Sequence, residues 1–84
     1  MYDLVYSQEV VKQLNKLERE TQTRIISTLE RIRIRPYPYV KKLVGCPYFR
    51  LRVGDYRVIL NIMENKLMIF VIEVGHRKNI YNDS

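Results

Sequence analysis

The sequence predicts an α+β domain in the order β-αα-βββ: a four-stranded, largely antiparallel sheet with an N-terminal helical hairpin on one face. Three observations predict it. Apolar residues recur at helical spacing between Val10 and Ile32. From Phe49 to Ile62 they alternate with polar ones on either side of Gly54-Asp55, the period of half-buried strands. Finally, "LMIFVIEV" (67–74) is a strongly apolar run of strand length. The chain of 84 residues accommodates one domain, residues 1–84, with one modest core.

Each element has its own signal. "MYDLVY" is apolar and β-prone and forms a short first strand. Ser7 is an N-cap for a helix over residues 7–19, whose inner stripe is Val10, Val11, Leu14 and Leu17. Thr21 or Thr23 caps a second helix, with Ile25, Ile26, Leu29 and Ile32 turned inward. It stops near Arg35, because Pro36 and Pro38 cannot continue it. Almost no linker separates the helices, so they form an antiparallel hairpin. Residues 36–47 read as a basic, proline-punctuated connection. The later strands cover 48–53, 56–63 and 67–74, and "GHRKNIYNDS" closes the chain as a turn and a short element.

The hairpin around Gly54-Asp55 needs a loop of only two residues, which fixes its register. Val53 then faces Tyr56, Arg52 faces Arg57 and Leu51 faces Val58. One face is continuously apolar and covers the helices. The other carries Arg50, Arg52 and Arg57 and opens to solvent. Like charges directly opposed across a ladder cost up to about 1 kcal/mol per pair. A bound polyanion is the natural compensation.

The last strand depends on the loop before it. With two residues in the loop, Ile72 falls opposite Arg57 and His76 on the basic face. With three, and Asn65 in the left-handed conformation, Glu73 falls opposite Arg57 and Arg77 on the basic face. The second is favoured because it sets charge against charge. In both, "GHR" emerges beside the arginines.

Charge narrows the partners. Fifteen lysines and arginines against nine acids give a net charge of +6, suited to nucleic acid, an acidic protein or an anionic surface. A single cysteine, Cys46, leaves no internal disulfide, and with no signal segment the expected location is the cytoplasm. No run approaches the length of a membrane span. No His, Cys or acidic spacing suggests a metal, and no cofactor is expected.

Three arginines on one strand face suit phosphate, because each guanidinium is permanently charged and can grip two oxygens. Around a phosphorane such a cluster stabilises charge that grows as the transition state forms. His76 is the only histidine, and adjacent cations favour the neutral imidazole that can take up a proton. Lys41 and Lys42 read as solvated loop charges or as contacts to a nucleic-acid backbone. Tyr37 and Tyr39 read as loop-packing residues, and Arg24, Arg31, Arg33 and Arg35 as the outer face of the second helix.

"KKLVGCPYFRLRVGDYRVIL" (41–60) and "VIEVGHRKNIY" (71–81), in this element order, resemble the RelE/ParE toxin superfamily of prokaryotic type II toxin–antitoxin systems. The resemblance covers essentially the whole chain. Two branches compete. RelE-like members are ribosome-dependent endoribonucleases that cut mRNA in the A site, by attack of the ribose 2′-hydroxyl on the adjacent phosphate and without a metal. ParE-like members poison DNA gyrase and generally lack the basic cluster.

The RelE resemblance implies that Arg50 and Arg52 stand where that branch has basic, commonly lysine, residues at the scissile phosphate. It implies that Arg57 stabilises the phosphate, that Arg77 lies near the leaving group and that Tyr81 stacks on a nucleotide. Arg52 replaces a lysine offered elsewhere as general base, and arginine does not usefully deprotonate at neutral pH. His76 then becomes the candidate base, with Glu73 behind it, unless positioning and charge alone carry the rate. A RelB-like, acidic antitoxin is the implied partner, beside the ribosome and mRNA, with DNA reached only through the antitoxin. The alternatives are a ParE-like gyrase inhibitor and an RNA-binding member with weakened catalysis.

Overall fold

The computed structural model describes residues 1–76. Its elements are β1 (Asp3–Tyr6), α1 (Gln8–Asn15), α2 (Arg19–Arg31), β2 (Val40–Lys42), β3 (Phe49–Val53), β4 (Tyr56–Met63) and β5 (Met68–His76), with single 3₁₀ turns at Tyr37–Tyr39 and Glu64–Lys66. The sheet is ordered β1-β5-β4-β3-β2; β1 runs parallel to β5 and the other pairs are antiparallel. Both helices cover one face, where Val10, Leu14, Ile25 and Leu29 meet Leu51, Val58, Leu60 and Val71 in a single core. Among the described residues no helix is long and apolar enough to cross a membrane.

Among the described residues the sheet has five strands where the sequence predicts four. The addition is β2, three residues within the proline-punctuated connection, paired with the outer edge of β3. So short a segment has no readable alternation of its own; the unpaired hydrogen-bonding edge of β3 recruits it.

The first helix begins as its signal says but is shorter than expected, and the second is displaced toward the N-terminus. The Ser7 hydroxyl accepts the Val10 N–H at 3.0 Å, and α1 ends at Asn15 instead of residue 19. The second helix begins at Arg19, ahead of both threonines, on Glu18, whose side chain makes no capping bond. It ends at Arg31, four residues before the expected stop, because the chain turns to reach β1. The Tyr2 N–H donates to the Arg33 carbonyl at 2.8 Å, and Arg33 Nε donates to the Tyr2 carbonyl at 2.7 Å. Arg33 is therefore a latch between α2 and β1, not part of an outer helical face.

The β3–β4 hairpin has the expected register, with Arg52 opposite Arg57 across Gly54-Asp55. Gly54 takes φ +59°, as the first position of a II′ turn requires. The β4–β5 connection differs from both alternatives. Four residues separate the paired Met63 and Met68, and Leu67, not Asn65, adopts the left-handed conformation at φ +49°. Its carbonyl is thereby aimed at β1, where it accepts the Asp3 N–H at 2.8 Å.

A register shift at Ile59/Leu60 then adds one residue to β5, since Leu60 pairs with Val71 and Ile59 with Glu73. Arg57 therefore faces Gly75, not Glu73 or Ile72. The α1 region holds this bulge. The Ser7 hydroxyl donates to the Ile72 carbonyl at 3.2 Å, and the Gln13 side-chain carbonyl accepts the Val74 N–H at 2.7 Å.

Candidate nucleic-acid interface and active site

The alternation of β3 and β4 turns Arg50, Arg52 and Arg57 away from the helices, and the registers set them in two rows. Lys41, Arg50, Ile59 and Glu73 lie side by side across β2, β3, β4 and β5. Arg52, Arg57 and Gly75 form the adjacent row. Gly75 contributes no side chain to that row. Arg52 is exposed, whereas Arg50 and Arg57 are half-buried and Arg57 Nε is out of contact with water. Guanidinium groups in such a position present charge from a partly desolvated surface, where it acts more strongly on an anion than in bulk water.

This face is not fully open, as the sequence suggested. Residues 43–48 fold over its far half, and Leu43 and Ile59 form a second small core there, 4% and 6% exposed, with Cys46, Tyr48 and Ile72 against it. The Leu43 N–H donates to the Tyr48 carbonyl at 3.0 Å and closes the loop.

The structure brings Lys41 to this face but not Lys42, which pairs with Phe49 and so takes the other side of β2. His76 pairs with Tyr56, and their rings meet edge to face at 5.4 Å between centroids. Tyr56 packs on the helix-side core, so His76 shares that side of the sheet, at the strand end, and not the side of Arg57. Arg77 and Tyr81 lie outside the described residues. Tyr37 does pack as expected, edge to face with Phe49 at 5.8 Å.

Sequence reasoning missed Ser7 and Gln13 as positioning residues. Gln13 had a legible signal: it lies on the inward stripe of α1, between Val10 and Leu14, where a polar side chain needs a partner. The placement of Glu73 in the Arg50 row had none, since it depends on the bulge.

The chain is similar to known proteins over almost its full length. A family model described as the ParE toxin of type II toxin–antitoxin systems matches residues 4–81. The mRNA interferase toxin RelE of Escherichia coli K12 is 26% identical over 88 residues, covering 99% of this chain and 93% of that one. The archaeal RelE–RelB complex from Pyrococcus horikoshii superposes with a TM-score of 0.81 at 27% identity, covering 94% and 98% of the two chains. The intact Escherichia coli RelBE complex does so with a TM-score of 0.76 at 26% identity, covering 90% and 96%. With the fold, the arginine face and a family match spanning most of its length, the chain belongs to the RelE/ParE superfamily of type II toxin–antitoxin toxins.

Proposed function

We propose that this toxin is a ribosome-dependent endoribonuclease that cuts mRNA in the A site and so stops translation. One observation carries the reading: three arginines in two adjacent rows on one sheet face, two of them directly opposed, an arrangement that a bound phosphate relieves. The relatives named as mRNA interferases support it, and favour it over inhibition of a topoisomerase.

The proposed reaction needs no metal. The ribose 2′-oxygen attacks the adjacent phosphorus and the bond to the 5′-oxygen breaks, leaving a 2′,3′-cyclic phosphate and a 5′-hydroxyl. The 2′-hydroxyl proton passes to a base, and the departing oxygen takes one up. Arg50, Arg52 and Arg57 stabilise the charge that accumulates on the phosphorane oxygens, with Arg77 beside the leaving group and Tyr81 stacked on a nucleotide. Lys41, in the Arg50 row, holds the RNA backbone, whereas Lys42 on the other side of β2 takes no part. Positioning on the ribosome supplies much of the remaining rate, and dependence on ribosomes sets the site of action in the cytoplasm.

The proposed inhibitor is a cognate, acidic antitoxin of the RelB kind, since the similar structures include RelB–RelE complexes and the toxin carries a net charge of +6.

The deciding experiment is primer extension on a defined mRNA in a purified translation reaction, with a parallel lane lacking ribosomes. Cuts within A-site codons are expected only when ribosomes are present. Arg57→Ala should slow them by about 10²-fold or more, the cost typical of losing one charge-stabilising donor. Intact mRNA in every lane would refute the reading, and a supercoiling assay would then test the topoisomerase alternative.

A further inference from the structure

Next to the arginine rows, the loop over residues 43–48 and strands β4 and β5 enclose a pocket of about 310 Å³. Leu43, Cys46, Tyr48, Ile59 and Ile72 line it, together with one carboxylate, that of Glu73. We propose that this pocket takes one nucleobase of the RNA strand held by the arginines, and that Glu73 there favours bases with an exocyclic amino group over uracil. The inference rests on the ribonuclease reading above.

Position is the first argument. Ile59, the pocket floor, lies between Arg50 and Glu73 in a single row, so the pocket is separated from the arginines by no more than a strand spacing on either side. A strand whose phosphate lies on Arg50 and Arg57 has its bases within reach of this opening. The lining suits a base: apolar side chains cover its faces, and Tyr48 offers an aromatic ring of the kind on which bases stack.

The bulge supplies the second argument. Strict alternation would send one of Ile72 and Glu73 to the helix side. The extra residue in β5 lets both line the same pocket, a common use of a bulge being to re-aim a side chain. The fold secures this with two bonds from the α1 region, on the Ile72 carbonyl and the Val74 N–H, directly flanking Glu73.

Edge chemistry is the third. An ionised carboxylate only accepts hydrogen bonds. Adenine and cytosine each present an amino group, and guanine presents N1–H beside its amino group, so all three can donate to it. Uracil offers one N–H flanked by two carbonyl oxygens, and a carboxylate approaching it meets at least one of them unfavourably. A carboxamide in the same place removes this bias, because it donates to a uracil carbonyl while accepting the uracil N–H and still accepts from the amino groups of the other bases.

The test uses the full chain, as wild type and as Glu73→Gln, in the purified translation reaction. A set of mRNAs differs by one base at each position of the A-site codon and its neighbours, and the rate of cutting is read for each. At one position the wild type should cut uracil-containing messages about tenfold more slowly than the other three, in line with the usual cost of a mismatched base contact. Glu73→Gln should bring that ratio close to one and leave the other positions as they were. A circular-dichroism melt shows that the variant folds. If Glu73 only balances the charge of Arg50, the substitution will change all rates by one factor and keep their ratios; that result, or a wild type with no uracil bias at any position, overturns the inference while the ribonuclease reading stands. A wild type that cuts no message on ribosomes overturns both.

Discussion

Arg52 and Arg57 face one another across the Gly54-Asp55 hairpin, where like charges repel. The arrangement is a local cost to stability retained on a face proposed to bind phosphate. Arg52→Thr removes one charge from an exposed position and installs a good strand residue. Its thermal midpoint should rise, by up to about 1 kcal/mol of stability, while ribosome-dependent cutting falls. A lower midpoint together with full activity would contradict both halves of that account. His76 is the other residue to settle at this scale. It lies on the Tyr56 side of the sheet, away from the arginines to which the proposed reaction gives the charge stabilisation. His76→Gln should slow single-turnover cutting by less than about tenfold, against the 10²-fold or more usual when a general base is lost. A loss of that larger size would make His76 the base and require the RNA to wrap around the strand end.

At the scale of elements, α1 does more than cover the sheet. Its Gln13 supplies the acceptor for the Val74 N–H, which the bulge takes out of the regular ladder. Gln13→Ala leaves that donor without its acceptor in a half-buried place and should cost about 1–3 kcal/mol in a urea melt. A loss no greater than for an exposed α1 substitution such as Lys12→Ala would mean that the bulge persists without its support. The β3–β4 hairpin was legible because a two-residue turn admits one register, and the period of two then sorts every side chain. The β4–β5 pair was not. Its four-residue loop and bulge together move Glu73 from opposite Arg57 to opposite Ile59, and only the second of these places it in the pocket.

For the whole molecule, the packing of β1 against α2 links stability to alkaline pH. Tyr6 is half-buried, and its hydroxyl ionises above the usual value of about 10, chiefly through burial and then through the nearby Glu30 carboxylate, with Arg33 opposing. Below that pH the residue is neutral in both states and its contribution is fully kept. Above it the unfolded chain loses the proton first, so stability drains away as pH rises toward the folded value. Tyr6→Phe should therefore flatten the fall in stability above about pH 10, measured by denaturant melts across the alkaline range. An unchanged slope would show that another group governs the alkaline limb.

The sequence by itself determined the α+β class, the order of the main elements, the inward placing of Val10, Leu14, Ile25, Leu29 and Ile32 but not of Val11 and Ile26, which the structure leaves exposed, and the face that carries Arg50, Arg52 and Arg57. All of these follow from short-range periodicity and one tight turn. The tertiary structure decided the rest: the β2 edge strand, the latch at Arg33, the left-handed Leu67, the side on which His76 sits and the row that holds Glu73. The physical reason is that these features depend on satisfying backbone groups far apart in the chain. The Val74 N–H finds its acceptor 61 residues away in Gln13, the Ile72 carbonyl its donor 65 away in Ser7, and the Asp3 N–H the carbonyl of Leu67. Every buried polar group of the backbone must find such a partner, and local pattern carries no record of which one it will be.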